Sequence, residues 1–266
     1  MFQLSTLALR LGARWLKRLL FVSFSLHLSA GMAFSSYDLE NALVLPRAQA
    51  RTALASAYFQ AGLPAFAVEE VDQALILLPR YAPALLIKAL LLQQQNKPDM
   101  AQKYFIQAFD SAPEDPQIKL FWAVFECKNK RFNSAFEKFQ QSLNHSMGHG
   151  QGQVNWIWGQ CLIQNQQFEA ANLRMTEALA QLPSLISEAL ELVELKIQLG
   201  KLSDAEKILE ILIDSPSVSA QSVWLAFQLA ERQNQAVKKN HWGKMLGLHF
   251  SNSAQWRAYQ DRVSHD

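Results

Sequence analysis

The chain has 266 residues, half of them hydrophobic, with only 10 Gly and 9 Pro, which excludes a disordered or loop-dominated protein. Its formal charge of +2 is set by the first segment, where Arg10, Arg14, Lys17 and Arg18 stand without an acid; the rest carries 21 basic against 23 acidic residues. A body so near neutrality lacks the basic stripe that nucleic-acid binding needs.

Residues 1–33 have the layout of an export signal. A basic region ends at Arg18, an apolar stretch runs from Leu19 to about Phe34, and Gly31 and Ala33 fit the small positions of a signal-peptidase site. Cleavage is expected after Ala33. The rival is a retained anchor, but Ser23, Ser25, His27 and Ser29 interrupt a run already shorter than the roughly 20 residues a spanning helix needs. No cysteine lies near the site, so lipid attachment there is excluded. The expectation is an exported, periplasmic body in an oxidising compartment. Residues 34–47 read as a linker.

From Ala48 onward the chain repeats itself. Ala67, Ala74 and Pro79 recur as Ala101, Ala108 and Pro113, always 34 residues on. In the first unit Leu54, Ala55 and Tyr58 mark one helix, Gly62 a turn, and Ala67, Val71 and Ala74 a second helix that Pro79 stops. Small residues let the paired helices approach, and large ones fill the groove of the next pair. A second unit carries Ala89, Ala101, Phe105 and Ala108; a third carries Ala123, Ala135 and Phe139. The period then slips by two residues at His145–Gly152, read as a wide glycine-rich loop. A fourth unit has Trp158, Gly159, Ala171, Met175, Ala178 and Pro183; a fifth has Val193, Gly200, Ala205, Leu209 and Leu212. A sixth is degenerate, with Ala226 at the small position and Lys238 where alanine is expected. The segment from Ser253 to about Val263 reads as a polar cap, which a solenoid needs over its last apolar face.

This pattern is similar to the tetratricopeptide repeat. The expected fold is all-α, a right-handed superhelical solenoid of about six helix–turn–helix units. They fall near 48–81, 82–115, 116–151, 152–185, 186–218 and 219–252, within one domain over 48–263.

Few residues invite chemistry. His145 and His149 have a metal-ligand spacing, but they sit among glycines without a third ligand, and a solvated loop is the simpler reading. There is no His-Glu-x-x-His, no phosphate-binding glycine loop and no Gly-x-Ser-x-Gly. No catalytic residue, cofactor, metal or small-molecule substrate is expected, and the chain is not expected to be an enzyme. Cys127 and Cys161 fall at similar depth on the first helices of units three and four. A bridge between them would staple neighbouring units; the alternative is two buried thiols packing as small hydrophobes. The tetratricopeptide resemblance also implies an inner groove, here lined by Phe59, Gln60, Leu86, Leu90, Gln93, Gln94, Leu120, Val124, Trp156, Gln160, Ile163 and Gln164. Apolar anchors among glutamine amides suit an extended or helical peptide of little charge.

A narrower resemblance rests on the ordered segments Phe121-Trp-Ala-Val-Phe-Glu-Cys127, Trp158-Gly-Gln-Cys161-Leu, Trp224-Leu-Ala226 and His249-Phe-Ser-Asn-Ser253. Together they resemble the type IV pilus biogenesis and stability proteins, the PilF/PilW family of pilotins. The resemblance implies a non-enzymatic periplasmic factor whose partner is the pilus secretin or another pilus assembly component. It implies help with secretin localisation or multimerisation at the outer membrane, to which this chain, lacking a lipobox cysteine, would hold peripherally. The alternative is a generic periplasmic adaptor for another envelope or cytochrome assembly.

Overall fold

The computed structural model describes residues 36–216 and 218–264; the expected signal lies outside them. The described residues are helical, with no strand. They form α1 (Ser36–Gln60), α2 (Pro64–Leu77), α3 (Ala82–Gln94), α4 (Pro98–Ser111), α5 (Pro116–Lys128), α6 (Phe132–His145), α7 (His149–Gln164) and α8 (Phe168–Gln181). A 3₁₀ segment, Pro183–Glu188, precedes α9 (Leu190–Gln198), α10 (Leu202–Ile213), α11 (Ala220–Arg232), α12 (Ala236–His249) and α13 (Ala254–Val263). Contacts divide the chain into two compact units, one ending at Tyr104 and the other starting at Phe105.

Each hairpin turns in the same way. Gly62, Asn96, Lys130, Gln166, Gly200 and Asn234 all have φ between 56° and 73°. In each case the next residue's N–H donates five residues back, as in Leu63 to Tyr58, Lys97 to Leu92 and Gln235 to Ala230. This left-handed cap satisfies the last carbonyls of the first helix and reverses the chain. The turns recur at offsets of 34, 34, 36, 34 and 34 residues, so the period is written most plainly in the backbone.

In the first unit α1, α2 and α3 pack around Ala55, Ala67, Val71, Ala74, Ala84 and Leu91. The expected linker is not one: α1 begins at Ser36 and carries Pro46 inside it. Proline lacks the N–H that would bond back four residues, yet the preceding stretch holds no glycine or second proline to stop a helix. In the second unit a continuous core runs through Phe139, Met175, Leu192 and Leu209. Asp115 caps α5, accepting from Gln117 N at 2.8 Å, and Ser219 and Ser222 form a capping box at α11.

Two sequence expectations are corrected here. The glycine-rich segment is not a wide loop, because only Ser146, Met147 and Gly148 separate α6 from α7. Gly148 makes the turn at φ 52°, while Gly152 lies inside α7 because a methyl there would stand 2.8 Å from Leu182 Cβ. Gly159 is small for the same reason, with Met175 Cγ 2.3 Å from where its Cβ would be. These glycines allow α7 and α8 to touch.

The register of the sixth unit is one residue later than expected. Phe227, not Ala226, lies 34 residues after Val193, and Lys239, not Lys238, lies 34 after Ala205. Phe227 is fully buried, Lys239 Nζ sits 5.7 Å from its ring centroid, and the ammonium pairs with Glu231 at 3.1 Å. Lys238 is exposed and pairs with Glu206 instead. α13 packs on this ring: Tyr259 lies edge-on against Phe227 at 5.1 Å. A methyl on Gly243 would lie 2.6 Å from the Tyr259 ring, and one on Gly247 2.8 Å from Trp256. Gly243→Ala should therefore displace Tyr259 and cost about 1–3 kcal/mol, as overpacking does. Thermal melts of G243A, Y259A and the double variant check this, with strongly non-additive losses expected.

Candidate functional site

The second unit places α7, α9 and α11, first helices of successive hairpins, so that glutamine and glutamate side chains bridge them. Gln160 Nε2 on α7 donates to Glu191 on α9 at 3.0 Å. Gln221 Nε2 on α11 donates to Glu194 on α9 at 3.0 Å. Gln221 Oε1 in turn accepts from Gln255 of α13 at 2.9 Å. The ladder fixes side-chain amides along one face of these helices, and between α9 and α11 it borders a groove of about 580 Å³. Ile197, Trp224 and Leu225 give that groove its apolar surface; Glu194, Gln198, Gln221, Gln228 and Arg232 give it polar edges. Trp224 is half-buried and stacks on Phe227 at 5.2 Å.

The expected groove residues sort by burial. In the first unit Leu86 is buried, Phe59, Leu90 and Gln93 are half-buried, and Gln60 and Gln94 are exposed. In the second, Leu120 and Trp156 are buried, Val124, Gln160 and Ile163 half-buried, and Gln164 exposed. Leu86, Leu120 and Trp156 therefore serve packing first, and the amides supply the reachable surface. Gln160 is the expected residue that the ladder engages. Glu194, Gln198, Gln228 and Arg232 were missed, although a signal existed: Gln160, Glu194 and Gln228 are 34 apart, as are Gln164, Gln198 and Arg232.

Cys127 and Cys161 form a disulfide, S–S 2.01 Å, joining α5 to α7. Neither is a free thiol. Beside them Trp158 is held between the Phe139 ring, stacked at 5.8 Å, and the Arg174 guanidinium, 3.9 Å from its centroid.

Several other ionisable groups are tied into the scaffold. His145 ends α6 with Lys119 Nζ 3.1 Å from Nδ1 and Glu114 against Nε2, whereas His149 opens α7. Among the described residues no three His, Cys, Asp or Glu side chains are grouped to hold a metal. Buried Glu126 accepts from Trp122 Nε1 at 3.0 Å and from Arg131. Among the described residues Lys196 has its charged form disfavoured. Burial pushes its ammonium below the usual lysine range, Lys201 adds to this and Asp204 opposes it. It is 3% exposed and donates to Asn172 at 2.9 Å and Thr176 at 3.0 Å, so its ammonium is held between α8 and α9.

No protein-family model and no curated protein matches the chain. Solved structures do. PilF of Pseudomonas aeruginosa is 19% identical over 82% of this chain and 99% of its own, with a TM-score of 0.68. PilW, a widely conserved type IV pilus biogenesis factor, is 22% identical over 79% and 97%, with a TM-score of 0.64. YrrB, a tetratricopeptide protein with an unusual peptide-binding site, is 12% identical over 72% and 97%, at 0.58. The fold is a tetratricopeptide-repeat solenoid. Its helix caps, small-residue contacts and aromatic fillers are the ones described above, and the amide ladder with its groove lies on the first helices of its hairpins.

Proposed function

We propose that this chain is a non-enzymatic protein-binding scaffold of type IV pilus biogenesis, assisting the secretin to reach or multimerise in the outer membrane. The observation that carries the reading is extent. The match takes in 99% of PilF and 97% of PilW, so the resemblance covers their whole repeat array rather than a shared hairpin. The ordered segments around Cys127, Cys161 and Trp224 point the same way. Amide groups and an apolar groove on a rigid array are what docking an extended segment requires. A periplasmic setting is part of the proposal and draws support from the disulfide, since such bonds persist in oxidising compartments. No described helix is long and apolar enough to cross a membrane. Peripheral association with the outer membrane belongs to the same proposal.

Deleting the gene should reduce secretin multimers at the outer membrane together with piliation. Intact multimers with normal piliation in the deletion strain would overturn the secretin role. The likeness to YrrB favours a second reading, a general periplasmic adaptor for another envelope assembly. Cross-linking from the exposed amides, followed by identification of the captured protein, separates the two.

A further inference from the structure

The groove between α9 and α11 is asymmetric in what its charged groups can still bind. At one end the Glu194 carboxylate accepts from Gln221 Nε2 at 3.0 Å, and the Gln221 carbonyl is itself taken by Gln255 at 2.9 Å. That end is hydrogen-bonded within the array. At the other end Arg232 is exposed, and it makes a long bond, 3.5 Å from a guanidinium nitrogen to the Ile197 carbonyl. A guanidinium has five N–H donors in a fork that matches a carboxylate. Between the ends lies Trp224, its ring plane fixed by stacking on Phe227 at 12°. The nearby carboxylates have partners of their own: Glu191 accepts from Gln160, and Glu231 pairs with Arg262 at 2.6 Å.

We propose that this part of the groove takes an extended peptide carrying an apolar side chain at Trp224 and a carboxylate, about four residues away, at Arg232. The proposal rests on the reading above that the groove docks a protein partner, and it names the chemistry of that partner. The spacing follows from geometry. Trp224 and Arg232 are eight residues apart on α11, about 12 Å at 1.5 Å per residue. An extended chain covers that distance in about four residues at 3.3 Å each. The Gln198 and Gln228 amides flank the path and suit the backbone of such a segment. A cationic residue at the Arg232 end is disfavoured, because it would meet the like charge of the guanidinium.

The test uses the full chain and a neutral-dye-labelled peptide in a Gly/Ser background, acetylated and amidated so that no terminal charge contributes. Phe and Asp stand four positions apart, and control peptides replace Asp by Asn or Lys, or Phe by Ala. Fluorescence anisotropy should show the Asp peptide binding about tenfold tighter than the Asn peptide, the scale of one hydrogen-bonded charge. The Lys and Ala peptides should bind more weakly still. Arg232→Gln should erase the Asp preference, bringing the Asp and Asn peptides to the same Kd; Arg232→Lys should keep part of it. Equal binding of the Asp and Asn peptides, or an Asp preference that survives R232Q, overturns the proposal. Photo-cross-linking in cells from Gln160 and Gln228 keeps the two levels apart. A protein captured at Gln228 alongside charge-blind peptides leaves the docking reading standing and removes the carboxylate alone. No protein captured from either position removes the docking reading, and the proposal with it.

Discussion

Serine at both Cys127 and Cys161 should lower the stability of the array by about 3–4 kcal/mol, the loop-closure value for a bridge spanning a few tens of residues. The bridge spans 34 residues, one hairpin period. It ties α5 to α7 where the period lengthens by two residues. Stability in a stacked array is a sum of intrinsic terms and neighbour interfaces, so a covalent link at one interface keeps fraying on one side from passing to the other. Denaturant unfolding of the wild type with and without reductant, compared with the double serine variant, checks this. The reduced wild type and the variant should coincide at a lower midpoint. Peptide mapping under non-reducing conditions that recovers both cysteines as thiols from native protein would remove the bridge and the prediction together.

Trp158→Ala should cost about 3–5 kcal/mol, as loss of a buried large aromatic does. The ring is 8% exposed and lies between Phe139 and Arg174, with Phe136 at 6.3 Å. Removing it leaves a cavity lined by rings from α6 and strands the Arg174 guanidinium over empty space. Arg174 also donates to Asn155 at 3.3 Å, and Asn155 to Gln181 at 3.1 Å, so the loss should spread to α8. Trp158→Phe is the control. It keeps a ring in the stack and deletes an indole N–H that has no acceptor, so its cost should be much smaller. Thermal unfolding of the two variants side by side decides the matter; equal losses would show that the stack is not what holds this junction.

The regular part of the array was legible because each position in it serves one purpose. Ala55, Ala89 and Ala123 are fully buried where paired helices touch, and nothing but a small side chain fits there. Gly152 and Gly159 perform the same service, yet beside Gly148 and Gly150 they read as a loop. Glycine as a helix contact and glycine as a helix breaker look alike in sequence, and the distinction lies in Leu182 and Met175 from the facing helix. The sixth unit misled for a different reason. Ala226 offered a small residue one place before the true position, while the structure uses Phe227 and compensates with glycines on α12. The turn from Gly200 to Asn234 held the correct register, in a residue type that tolerates positive φ less readily than glycine and so draws less notice. The groove was read in units one to four and missed in five and six because Glu194 and Arg232 look like ordinary surface charges. Only their alignment with Gln160 and Gln164 gives them a shared face. Its amide ladder could not be foreseen from composition, since Gln221 meets Glu194 and Gln255 only once three helices are side by side.

The rings of α13 resting on Gly243 and Gly247 also bear on how such a chain can change in length. A regular hairpin is interchangeable with its neighbours, and an array of them can gain or lose one by duplication or deletion. The sixth hairpin has exchanged its small-residue contact for Phe227, and α12 is cut to fit Tyr259 and Trp256. A copy of it placed elsewhere would present a helix notched for aromatic rings to a neighbour that carries none. A hairpin stacked directly on α12 would have to displace both rings. The hairpins upstream of Ala220 keep their small-residue contacts and remain the interchangeable part of the array.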